Sequence, residues 1–263
     1  MRIVTLTCSN TEIVCALGCA DMLVGVDDHS DYPPDVVNRL PRVGPDLTID
    51  MDKVAALKPD LVLASLTVPG HEKVIAELQT RGLPYLAPEP VSLADVYSDI
   101  RLIAGKLGVG ARGATVIGDM QTAMPATLPG NSQDCPSILV QWWPKPIIAP
   151  GKHSWVDDLI TAAGGVNPLG KADVKSRPLR DDEVARLNPD AIVISWCGVE
   201  LEKYRDDVIY HNPNFKDMTA VRERRVFKIT EAYLGRPSPR LVDGYRALRA
   251  IVTALQPSTH GSH

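Results

Sequence analysis

The chain has 263 residues, a formal net charge of −4 and 44% hydrophobic residues. This length allows one large domain or two of ordinary size, and the hydrophobic content is sufficient for buried cores. The slightly acidic balance, without a dense Lys/Arg run, argues against nucleic acid as a partner, and no apolar stretch approaches the roughly 18 residues of a membrane-spanning helix.

The first ninety residues alternate between strand and helix patterns. Ser9 and Glu12 have the spacing of a capping box at the start of a helix, and Gly18 is typical of its end. The predicted elements are, in chain order, a strand over residues 3–6, a helix over 11–17, a strand over 24–27, a helix over 50–57, a strand over 61–64, a helix over 71–81 and a strand over 85–87. This alternation predicts an α/β lobe over residues 1–90.

The next segment, residues 91–130, is predicted to be a helical connection. Apolar residues recur at helical spacing over 92–124, which indicates one long helix that the glycines of 108–113 could interrupt. Gly108 to Gly113 also match G-x-G-x-x-G, but a helical stretch precedes them where a dinucleotide site needs a strand, so a helix break is preferred.

A second lobe is predicted over residues 131–257, entered through a loop at 128–134 and followed by a short tail at 258–263. Its predicted strands are 138–142, 191–195 and 226–230, and its predicted helices are 155–163, 181–187 and 239–255.

The two lobes share a repeated segment. Residues 54–65 (VAALKPDLVLAS) return 130 positions later as residues 184–195 (VARLNPDAIVIS), with six of twelve positions identical. Each copy reads as a helix that ends before a proline, followed by a short apolar strand buried on both faces. The repeat predicts two similar Rossmann-like α/β lobes, joined by a single long helix, with a ligand cleft between them.

Aromatic residues are rare, yet several follow predicted strands. The carboxyl ends of strands face the ligand crevice in open α/β sheets, although core packing is the usual role of any single tryptophan. Arg236 could supply a hydrogen-bonding fork or be an ordinary surface residue. The candidate aromatic residues are Tyr32, Trp142, Trp143, Trp196 and Tyr233. They suit a large, planar, partly apolar ligand.

No motif for a catalytic or metal site is present. His29, His153 and Cys197 stand near the candidate loops and are isolated candidates for axial metal ligands, although single residues of this kind are usually structural. Asp27, with the carboxylates that follow it in the same loop, is expected to be solvated or capping.

The chain as written begins directly in a strand pattern, which predicts a cytoplasmic protein. Five cysteines without a CxxC pair also suit a reducing compartment. The alternative is a periplasmic or otherwise extracytoplasmic protein whose signal peptide has been removed.

Five short segments resemble the cobalamin (vitamin B12)-binding proteins of ABC importers, within the wider class of receptors for B12, haem and iron-siderophores. They occur in the same order over essentially the whole chain: residues 9–12 (SNTE), 30–34 (SDYPP), 56–62 (ALKPDLV), 164–167 (GGVN) and 238–240 (SPR). The resemblance implies the class III fold of periplasmic-binding-protein-like receptors, a corrinoid held edgewise between the lobes, and no catalysis.

The resemblance also implies roles for individual residues. Tyr32, Trp142 and Arg236 match positions that contact the ligand, and Ser65 replaces a tryptophan of better-known B12 receptors. Glu72 and Glu202, again 130 positions apart, match surface glutamates that dock on the permease, although both could be ordinary helix-surface carboxylates.

The sequence therefore predicts a monomeric, non-enzymatic binding protein for cobalamin or a related corrinoid, without a catalytic cofactor. It would serve an ABC importer or intracellular carriage of the ligand. Haem or a ferric siderophore is the alternative ligand within the same class. A cytoplasmic enzyme acting on a corrinoid or a cofactor precursor is the alternative from another class.

Overall fold

The computed structural model describes residues 1–125 and 135–256, which divide into two compact units. The first comprises residues 1–90, 94–120 and 237–239, and the second contains the remaining described residues. The predicted loop at 128–134 and tail at 258–263 lie outside the described residues. Across the described ranges, no helix combines the length and the apolar character that a membrane crossing requires.

The first unit contains a parallel four-stranded sheet in the order β2-β1-β3-β4. Val4 and Val62 of this sheet and Val54 of the helix before β3 belong to one hydrophobic core. The elements up to the end of the helical segment are β1 (Ile3–Thr5), α1 (Cys8–Ala16), β2 (Leu23–Val26), α2 (Pro34–Val37), α3 (Met51–Ala56), β3 (Leu61–Leu63), α4 (His71–Thr80), β4 (Tyr85–Leu86), α5 (Leu93–Lys106) and α6 (Gly110–Ala123).

The second unit contains a parallel sheet in the order β10-β9-β5 and an antiparallel sheet in the order β6-β7-β8. The antiparallel sheet was not predicted, since its strands are short and lack a clean alternation of apolar residues. The elements are β5 (Ile138–Gln141), β6 (Trp143–Pro144), β7 (Ile147–Pro150), α7 (Trp155–Ala162), β8 (Ser176–Leu179), α8 (Asp181–Leu187), β9 (Ala191–Ile194), α9 (Asp207–Tyr210), α10 (Thr219–Arg222), β10 (Val226–Lys228), α11 (Glu231–Leu234) and α12 (Leu241–Leu255).

The prediction of α/β architecture with parallel sheets is confirmed, and the repeated segment forms the same helix–strand unit twice. Lys58 and Asn188, the residues before the two prolines, both adopt the left-handed conformation, with φ of 48° and 40°. Asp60 Oδ2 accepts the backbone N–H of Arg2, just before β1, at 2.6 Å. Asp190 Oδ2 accepts the N–H of Ser137, just before β5, at 2.8 Å. Each aspartate thus ties its own strand to the neighbouring parallel strand.

The predicted long helix is interrupted at residues 107–109, between α5 and α6. Gly108 has a φ of 71°, and the N–H groups of Val109 and Gly108 donate to the carbonyls of Ala104 and Gly105, which closes α5 with a Schellman motif. A Cβ atom on Gly113 would stand 2.5 Å from the Cβ of Ala104. The glycines of the G-x-G-x-x-G match therefore end one helix and allow close packing of the next.

The predicted capping box at the start of α1 is wrong. The helix begins at Cys8 with Thr7 as its N-cap residue, so Ser9 and Glu12 both lie inside it and are buried. Glu12 Oε2 instead accepts a hydrogen bond from the Ser238 hydroxyl at 2.5 Å, a contact across 226 positions of the sequence. A tertiary partner has replaced the local one.

Candidate functional site

The loop that carries Tyr32 in the first unit is held by a chain of buried hydrogen bonds. Ser30 Oγ donates to Asp27 Oδ1 at 2.5 Å and lies 2.7 Å from Thr11 Oγ1, which in turn lies 2.6 Å from Thr5 Oγ1. Burial raises the pKa of Asp27, which is fully buried. Of the two expected roles, solvated or capping, Asp27 has the second, because its Oδ2 accepts the N–H of His29 at 3.0 Å. Tyr32 itself is 45% exposed.

Ser65 follows β3 and is 6% exposed. Its Oγ lies 2.9 Å from Thr67 Oγ1 and accepts the Thr67 N–H at 3.2 Å, as in a serine turn. The hydroxyl of Ser65 therefore stabilises the turn after the strand.

In the second unit, two tryptophans follow β5 and differ in exposure. The indole of Trp142 is half-buried and lies against Trp155, with ring centroids 6.2 Å apart and an interplanar angle of 37°. Within the described residues, its buried Nε1 has no hydrogen-bond partner, although an indole N–H is a donor that is normally satisfied when buried. Trp143 is 42% exposed, as expected for a neighbour whose side chain leaves the strand on the opposite side.

Trp196, the aromatic residue beyond β9, is only 6% exposed and belongs to the hydrophobic core of the second unit. Its Nε1 donates to Gln141 Oε1 at 3.2 Å, and its ring packs on Tyr204 with centroids 5.5 Å apart. Most of the indole surface is thus in contact with its own unit.

A buried hydrogen-bond network joins Trp196 to Arg236. The Tyr204 hydroxyl donates to the carbonyl of Trp196 at 3.1 Å and accepts the N–H of Glu231 at 3.0 Å. Arg236 Nε donates to Glu231 Oε2 at 3.1 Å. Burial raises the pKa of Tyr204 to about 12, so its hydroxyl keeps its proton near neutral pH.

Sequence reasoning missed Gln141, Tyr204 and Glu231. Gln141 carries a usable signal, because a polar residue at the end of an apolar strand indicates a hydrogen-bonded position. Tyr204 carries none, since it lies outside the helices and strands and was not distinguished from the other tyrosines.

Tyr233 lies half-buried in α11. The guanidinium carbon of Arg240 lies 5.0 Å from the centroid of its ring, within the range of a cation–π contact. One face of Tyr233 is therefore covered by an arginine of its own unit.

The three isolated candidates for axial ligands do not assemble into a metal site. His29 Nε2 lies 3.9 Å from Asp46 Oδ1, and His153 Nε2 lies 2.6 Å from Asp173 Oδ1. Cys197 is exposed. In residues 1–125 and 135–256, no group of three or more His, Cys, Asp or Glu side chains has the arrangement of a metal site.

The two predicted docking glutamates are both exposed, one in each unit. Glu72 lies in the first turn of α4, where its Oε2 accepts the N–H of Gly70 at 2.8 Å. Glu202 lies in a short 3₁₀ helix, Leu201–Lys203, so the match in sequence position is not a match in secondary structure.

Comparison with known proteins finds relatives along the whole chain. The ABC transporter substrate-binding lipoprotein YvrC of Bacillus subtilis is 27% identical over 254 residues, covering 94% of this chain and 78% of the relative. The apo periplasmic haem-binding protein RhuT of Roseiflexus sp. RS-1 superimposes with a TM-score of 0.79 at 26% identity, covering 97% and 99% of the two chains. The periplasmic vitamin B12-binding protein BtuF of Vibrio cholerae superimposes with a TM-score of 0.76 at 25% identity, covering 98% of each.

These relatives overturn the expectation of a cytoplasmic protein. They include a lipoprotein and periplasmic proteins, which are extracytoplasmic. The prediction rested on the first residues as written and on the cysteines. None of the five cysteines forms a disulfide within the described residues, but that observation does not fix the compartment of a protein whose core is large enough to fold without disulfides.

The sequence matches the family described as periplasmic binding protein over residues 3–233. Its members bind a solute without catalysis and without a catalytic cofactor. This chain therefore belongs to the periplasmic binding protein family, as a substrate-binding protein of the kind that serves ABC importers.

Proposed function

We propose that the solute is cobalamin or a related corrinoid. The observation that carries this proposal is the Trp142–Trp155 pair after β5, which combines aromatic surface with a buried indole N–H that has no partner in the described part of the chain. A corrinoid is large and nearly planar, and its peripheral amides offer carbonyl acceptors to such a donor. The likeness to a vitamin B12-binding protein at 25% identity over 98% of the chain supports the same ligand.

The candidate residues divide into two roles by exposure. Tyr32 and Trp143, at 45% and 42% exposed, offer aromatic faces to the ligand. Trp142 and Arg236 donate hydrogen bonds. Trp196 and Tyr233 shape the surface of the second unit, and Ser65 shapes that of the first. Trp196 acts mainly as a support, because it is held in the core by Gln141 and Tyr204.

The test is a calorimetric and absorbance titration of the purified protein with cyanocobalamin, haem and a ferric hydroxamate siderophore in parallel. Saturable one-to-one binding of cyanocobalamin, tighter than that of the other two, is expected. Saturation by haem or the siderophore alone would overturn the corrinoid and leave the solute-binding function intact.

Two variants connect the ligand to the proposed residues. Tyr32→Ala and Trp143→Ala are each expected to weaken binding by roughly 1–3 kcal/mol, the usual cost of removing an aromatic contact from the centre of an interface. Tyr210→Ala is the matched control, since its ring contacts Arg224 on another part of the second unit. An unchanged affinity in both test variants would remove these residues from the site.

Haem is the second candidate. The observation that favours it is the exposure of His29 and Tyr32 in one loop. A solvent-accessible imidazole nitrogen or phenol oxygen can ligate the iron of haem. The likeness to the haem-binding protein RhuT supports it as well. If haem binds, Tyr32→Phe and His29→Ala, tested separately, should show which of the two residues ligates the iron, since loss of the axial bond changes the Soret band.

We also propose that Glu72 and Glu202 dock on the importer permease. Both carboxylates are exposed, and Glu72→Gln would keep the acceptor that caps Gly70 while removing the charge. The double variant Glu72→Gln, Glu202→Gln is expected to bind ligand normally and to lose uptake. Glu77→Gln, at another exposed position of α4, is the matched control. Loss of ligand affinity in the double variant would contradict a docking role.

A further inference from the structure

The loops after three adjacent strands of the second unit converge on one buried tyrosine. Gln141 ends β5, Trp196 lies just beyond β9, and Glu231 begins α11 shortly after β10. These strands are neighbours in the order β10-β9-β5 and run parallel, so their carboxyl ends lie at one edge of the sheet. Tyr204, 2% exposed, bonds to two of the three loops and packs on the residue that bonds to the third.

The hydroxyl of Tyr204 both donates and accepts a hydrogen bond. A tyrosine O–H offers one donor and accepts through its oxygen, and here it donates to the Trp196 carbonyl and accepts the Glu231 N–H. The Glu231 N–H belongs to the first turn of α11, where backbone donors have no partner within the helix. Phenylalanine would fill the same space but leave both backbone groups without this partner.

The same network fixes two side chains of the proposed site, Trp196 and Arg236. Trp196 is oriented by Tyr204 on its ring and by Gln141, 1% exposed, on its Nε1. Arg236 is oriented through Nε by Glu231, whose backbone is tied to Tyr204; the two side chains are 11% and 18% exposed. Charged groups that are largely buried and held in this way keep one geometry, because every alternative loses a hydrogen bond in a medium of low dielectric.

We propose that Tyr204 is a positioning residue of the solute site, which sets the orientation of Trp196 and Arg236 and through them the affinity for the planar ligand. This inference rests on the proposed function for its effect on affinity. Its effect on Trp196 is independent of any ligand. The two parts are measured separately.

The ligand-free measurement uses protein labelled with 5-fluorotryptophan, whose four ¹⁹F resonances can be assigned by single Trp→Phe replacements. Tyr204→Phe is expected to shift or broaden the resonance of Trp196 more than that of Trp143. Tyr85→Phe, which removes the acceptor of one Gln79 hydrogen bond in the first unit, is the matched control and should shift none of the four. A Trp196 resonance unchanged in Tyr204→Phe would overturn the positioning role.

The affinity measurement uses cyanocobalamin and a double-mutant cycle with Arg236→Ala. Tyr204→Phe is expected to weaken binding about tenfold in the wild-type background and by a smaller factor when Arg236 is already absent, because residues that act through one another are not additive. Equal losses in both backgrounds would contradict action through Arg236. If Tyr204→Phe does not fold, Gln141→Met, which removes the acceptor of the Trp196 Nε1, tests the orientation of Trp196 by the same ¹⁹F measurement.

The failure of the proposed function is recognised separately. If the wild-type protein binds no cyanocobalamin, the corrinoid proposal and the affinity part of this inference both fail. The ¹⁹F spectra then decide the positioning of Trp196 by themselves.

Discussion

The two copies of the repeated helix–strand segment are alike through the serine that follows the strand and differ at the next residue. In both, a left-handed residue precedes the proline, and an aspartate ties the strand to its neighbour. After the strand, the first copy continues with Ser65 and Leu66, and the second with Ser195 and Trp196. The common part forms sheet structure, and the residues that differ between the two units follow it.

The serines illustrate the same difference. Ser65 Oγ bonds within its own turn, whereas Ser195 Oγ is buried and has no hydrogen-bond partner among the described residues. An unsatisfied buried hydroxyl costs stability, so its presence beside Trp196 indicates a position that is not optimised for folding alone.

The largest expected effect is the difference in stability loss between alanine variants at the two positions that differ, Trp196 and Leu66. Trp196→Ala should lower the free energy of unfolding by about 3–5 kcal/mol, because it leaves a cavity in the hydrophobic core of the second unit. Leu66→Ala, at a half-buried position, should cost about 1 kcal/mol or less. Urea unfolding of both variants measures the difference, and equal losses would remove the distinction between the copies.

The second prediction concerns the aspartates that the copies share. Asp190→Ala should cost about 1–3 kcal/mol, because the half-buried carboxylate accepts from both the N–H and the hydroxyl of Ser137. Asp60→Ala should cost roughly 1 kcal/mol or less, since Asp60 is 59% exposed and water can replace it at the Arg2 N–H. The comparison uses urea midpoints at neutral pH. A larger loss for Asp60 would contradict the assignment of Asp190 as the stronger tie.

The third prediction concerns the pH dependence of stability that a carboxylate of the first unit causes. Burial, and to a lesser extent the charge of Asp95, raises the pKa of Asp99 in α5 to about 7 from an ordinary 3.8. Within the described residues, its Oδ2 has no hydrogen-bond partner. The folded state therefore binds a proton that the unfolded chain has lost between pH 4 and 7, so stability falls as the pH rises through this window.

Asp99→Asn should remove this loss. The variant is expected to be more stable than the wild type by about 1–2 kcal/mol at pH 8, after allowance for solvent screening, and to show little gain at pH 4. Asp95→Asn, one turn earlier, is a useful comparison because it removes only the smaller of the two causes. Unfolding by urea at the two pH values measures both, and a gain that is the same at pH 4 and pH 8 would contradict a titrating Asp99.

The smallest effect should differ in sign between the copies. Lys58→Gly relieves a left-handed residue that has a side chain, so a gain of about 0.5–1 kcal/mol is expected. Asn188→Gly should instead lower stability by a similar amount, because Asn188 Oδ1 accepts the Thr219 N–H at 2.8 Å and its Nδ2 donates to Thr219 Oγ1 at 3.1 Å. Thermal midpoints measured in one buffer give the signs; a gain in both would mean that the Thr219 bonds contribute nothing.

The sequence by itself determined the elements whose signals are local. Apolar runs bounded by turn residues predicted β1, β3, β5, β9 and β10, and helical periodicity predicted the main helices. The internal repeat predicted two α/β lobes, and the placement of aromatic residues after strands remains the basis of the proposed site. The prediction of each element depends on a few consecutive residues, since backbone geometry and side-chain periodicity act over that range.

Only the tertiary structure decided which side chains are buried and which partners they meet. Trp196 is packed against Tyr204 and bonds to Gln141, 55 positions away, while Tyr32 and Trp143 remain exposed. Asp27 is buried and accepts the hydroxyl of Ser30, which in turn lies 2.7 Å from Thr11 Oγ1 in α1. Glu12 accepts a hydrogen bond from Ser238 instead of forming a local capping box. These outcomes depend on segments that are distant in sequence, because the energy of a polar or aromatic side chain is set by the burial and hydrogen-bond partners that folding supplies.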